Sequence, residues 1–353
     1  MANFTPSNLV KGQALFNQRY KAQEWRLPDT AALSVAYIGE KANPMLADLR
    51  KREDRSVSAY FPTRKAKAAA SARAHNHTGT RGDSLEVPVT WTSAVDTFSI
   101  SLKQNDNNVI SWEENYAAQL QNAVFNVLST QDTNFVTALE ADRTQVNVGG
   151  VNGTFDATDY VMEITADAKD FFYQNLMANM RQNLYKGQLT VIVDSLAGIE
   201  AMRQANQGTG NATNLGFQFM NMNIVQSTSA ILDGLTDTYN GAALAFPMDA
   251  AGVVFWIPKQ NRKPLDPVQA LSYNGDFGSI NVPVYDDKGD VKYNVPLAIH
   301  SYAERADASA SNGSAQDLVI QVEVSLDMAY VAAPLSTFRG SNDSVIYGFG
   351  QLS

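Results

Sequence analysis

The sequence predicts an α+β fold, and three stretches carry that prediction. Ser111-Trp112-Glu113-Glu114 opens an apolar run at Trp112, Tyr116, Leu120, Val124, Val127, Leu128, Phe135 and Leu139, spaced mostly by three and four as one helix face requires. Ile320, Val322, Val324, Leu326, Met328 and Tyr330 alternate with mainly polar neighbours, the pattern of one long strand between Leu318 and Tyr330. Residues 56–104 read as a short strand, a long polar loop and returning strands.

The helix is the strongest local signal. Ser111 stands at an N-cap position and Glu114 at N3, a capping-box spacing, and no Pro or Gly interrupts the run as far as Asp142. A continuous helix of that span is about 45 Å long. Its length favours a backbone-like spine over an ordinary core helix.

Ahead of it, Ser56–Pro62 reads as a strand. Thr63–Gly82 is Ala-rich and basic, with Arg64, Lys65, Lys67 and Arg73 and no bulky aliphatic residue, so it cannot build a core and reads as an exposed loop. Arg81-Gly82-Asp83 spells RGD, but a bare tripeptide in a loop is no adhesion site. Leu85, Val87 and Val89, then Phe98, Ile100 and Leu102, alternate as strands, with a turn expected at Thr92–Asp96.

Residues 1–55 show weak periodicity. Phe4, Leu9, Val10, Leu15, Phe16, Trp25 and Leu27 are apolar anchors without a compact core, so an extended arm is expected. It ends in the charge cluster Arg50, Lys51, Arg52, Glu53, Asp54 and Arg55.

Beyond the spine, a second helix is expected over Asp167–Lys186, with Phe172, Leu176, Met180 and Leu184 on one stripe and Gly187 as its terminator. Gln188–Val193 reads as a strand. Asp194 or Ser195 then caps a third helix, Leu196–Gln207, with Leu196, Ile199 and Met202 inward. Phe217–Val225 and Val253–Ile257 are strand candidates. Ser279–Val284 and Val291–Pro296 flank Asp286-Asp287-Lys288-Gly289-Asp290 as a hairpin. The aspartates of that turn match no calcium loop and read as a solvated turn. Ala333–Ser353 reads as a polar and aromatic tail.

Composition narrows the function. The chain has 353 residues, 44 % hydrophobic and 18 % charged, so it is not intrinsically disordered. It has no cysteine, which excludes disulfides, Cys-ligated zinc and a cysteine nucleophile. His75, His77 and His300 are too few for a typical His-rich metal site. No G-x-S-x-G, H-E-x-x-H, P-loop or dinucleotide fingerprint occurs, so no catalytic residue, metal ligand or cofactor is assigned. Neither a secretory signal nor a membrane span is visible. The net charge of −9 divides into +7 over residues 1–75 and −16 over the rest. A basic arm on an acidic body suits contact with nucleic acid or with a neighbouring copy, and the global acidity argues against a dedicated nucleic-acid binder.

The order of elements resembles the major capsid proteins of tailed phages, the Hong Kong 97-like fold. Asp96–Leu128 (DTFSISLKQNDNNVISWEENYAAQLQNAVFNVL) is similar to that family's passage into its spine helix. LTVIVDSLAGIEAMRQANQGTG followed by FQFMNMNIVQSTSA is similar to its A-domain entry. The resemblance implies an N-terminal arm (1–55), an E-loop hairpin (56–108), a P-domain with the spine helix (109–187), an A-domain (188–275), and return strands with a C-terminal tail (276–353). It implies no enzyme, but a chain that assembles through hexamers and pentamers into an icosahedral head around double-stranded DNA, without sequence specificity. A separate scaffolding protein, portal and decoration proteins are its implied partners. Residues 1–55 are too short for a fused scaffolding segment. The implied place is the virion, after assembly in the cytoplasm of a bacterial host. Arg50, Lys51, Arg52 and Arg55 in the arm, and Arg64, Lys65, Lys67 and Arg73 in the loop, are the expected intersubunit contacts. Some relatives form Lys–Asn cross-links, but Lys65 and Lys67 have no assignable Asn partner. Another phage or surface-layer structural protein, or an α/β enzyme with an unrecognised site, are the alternatives.

Overall fold

A computed structural model describes residues 5–24, 26–36, 58–63, 83–101, 109–144, 153–183, 185–208, 222–235, 237–306, 317–332 and 345–352. Its helices are α1 (Pro6–Lys21), α2 (Ala31–Ala36), α3 (Trp112–Ala141), α4 (Phe172–Gln182), α5 (Ser195–Gly208) and α6 (Pro267–Ala270). The strands are β1 (Ser58–Thr63), β2 (Asp83–Pro88), β3 (Thr90–Ser101), β4 (Gly153–Asp156), β5 (Val161–Ile164), β6 (Leu189–Val193) and β7 (Met222–Gln226). They continue with β8 (Tyr239–Pro247), β9 (Ala251–Trp256), β10 (Asp276–Tyr285), β11 (Val291–Ala306), β12 (Asp317–Ala332) and β13 (Tyr347–Leu352).

The spine forms as its cap and periodicity require. The Ser111 Oγ accepts the Glu114 backbone N–H at 3.2 Å, satisfying one of the amides that a helix start leaves unpaired. The Glu114 carboxylate lies 3.6 Å from the Arg19 guanidinium of α1. Tyr116, Leu120, Val124, Val127, Leu128, Phe135 and Leu139 are fully buried. They pack on a sheet ordered β10-β11-β12-β3, antiparallel throughout. Phe98 meets Tyr116 edge-on at 5.9 Å, and Phe135 meets Tyr330 at 5.9 Å. Gln131, buried in the same face, donates from Nε2 to the Leu326 carbonyl at 2.6 Å.

The length of β12 is used on both edges. β3 pairs along one edge, from Ser101↔Val319 to Thr90↔Tyr330. On the other edge β11 pairs up to Ala298↔Ser325, and β9 takes over from Trp256↔Asp327. Ile320, Val322, Val324, Leu326 and Met328 all point into the core. The turn expected at Thr92–Asp96 is absent, because β12 offers those residues an unbroken antiparallel partner and β3 runs straight through them.

The N-terminal segment differs from the expected arm over residues 6–36. Pro6 opens a helix, and Leu9, Gly12, Phe16 and Tyr20, at spacings of three and four, form its buried stripe. Gly12 is where α1 and α3 approach closely, since a Cβ there would lie 2.7 Å from Tyr116 Cδ1. The Tyr285 hydroxyl donates to the Tyr20 carbonyl at 3.1 Å, Thr30 Oγ1 to the Tyr285 carbonyl at 2.8 Å, and the Tyr293 hydroxyl to the Leu33 carbonyl at 2.7 Å. This segment therefore lies in its own subunit's core. Arg50, Lys51, Arg52 and Arg55 lie outside the described residues.

The second large sheet is ordered β4-β5-β13-β8-β6-β7. β13 comes from the stretch read as a tail, and it sits parallel to β5 and antiparallel to β8. Strand β8 is buried on both faces. Ala242, Leu244 and Phe246 join the core around the spine, while Ala243 and Ala245 join a second core under α4 and α5. β4 and β5 thus share a sheet with β6, β7 and β8, and β9 belongs with β12, so sheet membership crosses the expected divisions at 187/188 and 275/276.

Two helices here depart from expectation. A 3-10 turn over Ala166–Phe171 precedes α4, which ends at Gln182 with Asn183 as its C-cap rather than at Gly187. The Asn183 and Asn179 side-chain amides each donate to the carbonyl four residues earlier, at 3.0 Å. Phe172, Leu176 and Met180 are buried as expected, and Leu184 lies outside the described residues. On α5, Asp194 is the cap, its Oδ1 accepting the Ala197 N–H at 2.7 Å. The expected inward residues face solvent: Leu196 is 54 %, Ile199 61 % and Met202 60 % exposed, while Ala197 and Ala201 are buried. The approach to the sheet is too close for large side chains. A Cβ on Gly241 would lie 3.3 Å from the Ala197 nitrogen, and one on Gly198 2.6 Å from Gln226 Oε1.

Leu120→Ala and Val324→Ala remove fully buried side chains from opposite sides of the spine–sheet contact. We expect the first to destabilise by about 2–5 kcal/mol and the second by about 1–3 kcal/mol in denaturant melts, through lost burial and a residual cavity. Near-zero effects from both would show that these faces do not meet.

Candidate functional site

The residues singled out for intersubunit contact precede and follow β1 in sequence and lie outside the described residues. β1 and β2 pair antiparallel from Ser58↔Pro88 to Thr63↔Asp83 and form a two-stranded sheet apart from the two large ones. Arg64, Lys65, Lys67 and Arg73 follow β1 directly in sequence and lie outside the described residues. On the hairpin, the exposed Tyr60 hydroxyl donates to Glu86 Oε1 at 3.2 Å. The negative charge of Glu86 pushes the Tyr60 hydroxyl pKa up. Of the predicted residues, Ser111 and Glu114 are described, and they begin the spine.

A cleft of about 650 Å³ opens where the N-terminal segment, α3, the end of β7 and the β10–β11 turn converge, lined in part by Arg26, Asp29, Phe125, Ser129, Met202 and Asp287. A smaller cavity of about 350 Å³ adjoins it along α3 and shares Arg26 and Phe125. The Arg26 guanidinium lies 5.2 Å from the Phe125 ring centroid. The carboxylates here are engaged structurally. Asp29 Oδ2 accepts the Thr228 N–H at 2.6 Å, and Asp287 Oδ2 faces the Gln226 N–H at 3.5 Å. Sequence reasoning gave no sign of this cleft, because its walls come from five separate parts of the chain, Met202 of α5 among them.

In the β10–β11 turn, Asp286 Oδ1 accepts the N–H groups of Lys288 and Asp290 at 2.9 and 2.8 Å, and Oδ2 lies 2.7 Å from Lys292 Nζ. Burial, the largest influence, pushes this carboxyl up. The Lys292 ammonium and the two amides outweigh it and hold Asp286 below the usual carboxylate range. The turn is therefore closed by an Asp side chain and an ion pair.

One group of three carboxylates among the described residues, Asp156, Glu163 and Asp237, places its oxygens within 4.8 Å of one another. Thr154 Oγ1 and the Tyr239 hydroxyl donate to Glu163 at 3.2 and 3.3 Å. Burial, with the Asp237 charge adding to it, raises the Glu163 pKa against the lowering bonds from Thr154 and Tyr239.

The stability that Asp286 contributes has a defined sign. Its folded pKa is depressed, so the contribution is present above the ordinary carboxylate pKa of about 4 and is lost as pH falls through the folded value. Lys292→Met should flatten the acid limb of the melting-temperature profile below pH 4 relative to the parent. An unchanged acid limb would show that the pair contributes nothing.

Neither a family model nor a curated protein matches the chain. Among solved structures, one from Mycobacterium phage Che8 is similar at 12 % identity and a TM-score of 0.44, covering 92 % of both chains. One from Mycobacterium phage Cain is similar at 9 % identity and a TM-score of 0.47, covering 94 % of this chain and 93 % of that one. The capsid of Ralstonia phage GP4 is similar at 10 % identity and a TM-score of 0.43, covering 83 % of this chain and 82 % of that one.

Proposed function

We propose that the chain is a structural shell protein, the major capsid protein of a tailed phage, built on a Hong Kong 97-like plan and assembling through hexamers and pentamers around double-stranded DNA. The observation that carries this reading is the β1–β2 hairpin. Its strands pair with each other and with neither large sheet, and they bracket a 64–82 segment that holds Arg64, Lys65, Lys67, Arg73 and Arg81 and no acidic residue. The rest of the chain is strongly acidic, so the complement of this segment is the surface of another copy. The long capped spine under a long sheet supplies a stiff body from which such a hairpin acts. The described carboxylates around the cleft serve turns and ties, which supports a structural rather than an enzymatic role.

In this reading the basic cluster Arg50, Lys51, Arg52 and Arg55 contributes to intersubunit contact together with the hairpin segment. In α1 and α2, Leu9, Phe16, Tyr20 and Leu33 pack instead into the core around their own spine. The spine and β3, β9, β10, β11 and β12 correspond to a P-domain, and β6–β8 with α5 to an A-domain. A scaffolding protein, portal and decoration proteins are partners that such a shell requires. The virion is its destination, and a bacterial cytoplasm its place of assembly.

Each exposed ion pair is worth only about 0–1 kcal/mol, and repetition over many copies makes the sum sufficient. Assembly should therefore weaken with salt, as the screening length falls from about 10 Å at 0.1 M to about 3 Å at 1 M. Negative-stain microscopy and sedimentation of the full chain should show five- or six-membered rings or closed shells. Replacing Arg64, Lys65, Lys67 and Arg73 by Gln should leave subunit stability within about 0.5 kcal/mol and abolish salt-sensitive assembly. A small closed dimer or tetramer with no larger species, or unimpaired shells from the Gln variant, contradicts the reading.

A further inference from the structure

We propose that the docking of residues 29–36 onto the spine is proton-linked, closed by one carboxylic acid and one carboxylate, Asp132 and Asp29, that meet on a single serine hydroxyl. Ser227 Oγ lies 3.4 Å from Asp132 Oδ2 and 3.4 Å from Asp29 Oδ2. A hydroxyl has one proton and can donate to only one of them. The Ser229 N–H already donates to the same oxygen at 3.1 Å. The second carboxyl contact is satisfied when that carboxyl carries a proton and donates to Ser227.

The surroundings decide which of the two is the acid. Asp29 borders the open cleft and accepts from three donors, the Thr228 N–H at 2.6 Å, the Thr228 hydroxyl, and the Ala31 N–H at 3.2 Å. Asp132 projects from the middle of α3 and is fully buried. Its Oδ1 accepts the Leu33 N–H of α2 at 2.8 Å. Burial first, and the Asp29 charge second, push the Asp132 pKa well up. The hydrogen-bonded chain then runs from the Asp132 acid through Ser227 to the Asp29 carboxylate, joining α3, the residues after β7, and the N-terminal segment.

Other charges near this junction are few. α2, β7 and β9 carry no titratable side chain. β10 contributes Tyr285 and β11 Tyr293, whose hydroxyls donate to the Tyr20 and Leu33 carbonyls. Arg26, Asp286 and Asp287 line the cleft beside it, and Asp286 is paired with Lys292. Ionising Asp132 therefore puts a second negative charge against Asp29, with no cation in the junction among the described residues, and the segment's release into water relieves it.

The docked state binds one proton more than the released state. Its stability is full at low pH and declines as pH rises from the ordinary carboxylate pKa of about 4 toward the raised value. One-proton linkage makes the opening constant rise up to tenfold per pH unit in that window.

Hydrogen exchange of the full chain between pH 5 and 8, read as protection factors for the amides of residues 31–36, tests this. The parent should open progressively more with pH, and Asp132→Asn, which keeps an oxygen for the Leu33 amide, should lose that dependence. Asp29→Asn keeps Asp132 titratable and removes the charge acting on it, so its rise should end at lower pH than the parent's. A flat parent profile, or an equal slope in Asp132→Asn, overturns the proposal. If Asp132→Asn does not fold, a rise in Asp29→Asn that ends where the parent's does overturns it.

Discussion

The structure depends on burying a helix of thirty residues along nearly its whole length. An amphipathic helix of that size needs an apolar surface about 45 Å long to cover it. No single short strand offers one, and β12 with its successive partners β11 and β9, together with β3, does. The opposite flank of the spine is closed by α1, whose Gly12 admits the Tyr116 ring and whose Leu9, Phe16 and Tyr20 complete the core. The spine is therefore the middle of a sandwich. Its cap at Ser111 fixes where the sandwich starts, and Asp132 fixes where α2 joins it.

That constraint divides the chain by role. Apolar side chains are spent on one core around the spine and a second under α4 and α5, with β8 serving both. The β1–β2 hairpin forms a sheet of its own apart from the two large ones. The two cores, joined through β8, give the body of the chain its stability. The exposed Leu196, Ile199 and Met202 of α5 follow from the same economy of space, because only alanine and glycine fit between that helix and β8.

How much was legible in the sequence depended on the range of the interaction. The Ser111 cap, the spine's stripe, the alternation of β12 and the β10–β11 hairpin are written in residues a few positions apart, and each was readable. The α1 stripe was hidden because Gly12 occupies a place where an apolar residue would announce a helix, and its complement, Tyr116, is about a hundred residues away. The inward face of α5 was misread because periodicity favours bulk, whereas Gly241 and Gln226 demand small residues there. β13 escaped notice because its partners β5 and β8 precede it by more than a hundred residues. Of the candidate site, the basic character of Arg64, Lys65, Lys67 and Arg73 was visible in composition alone. The Asp29–Asp132 junction was not, since nothing local brings those two carboxyls together.

Helices α1 and α2 complete the core around the spine, so the fold of the whole chain should depend on them. Removing residues 1–36 and following thermal unfolding of the remaining chain tests this directly. Exposing the α1 face of the spine, with the loss of Leu9, Phe16, Tyr20 and Leu33, should abolish cooperative melting and leave a species that binds hydrophobic dyes. A truncated chain that melts cooperatively at the parent temperature and fails only to assemble would contradict the account and restore an arm that lies on a neighbour.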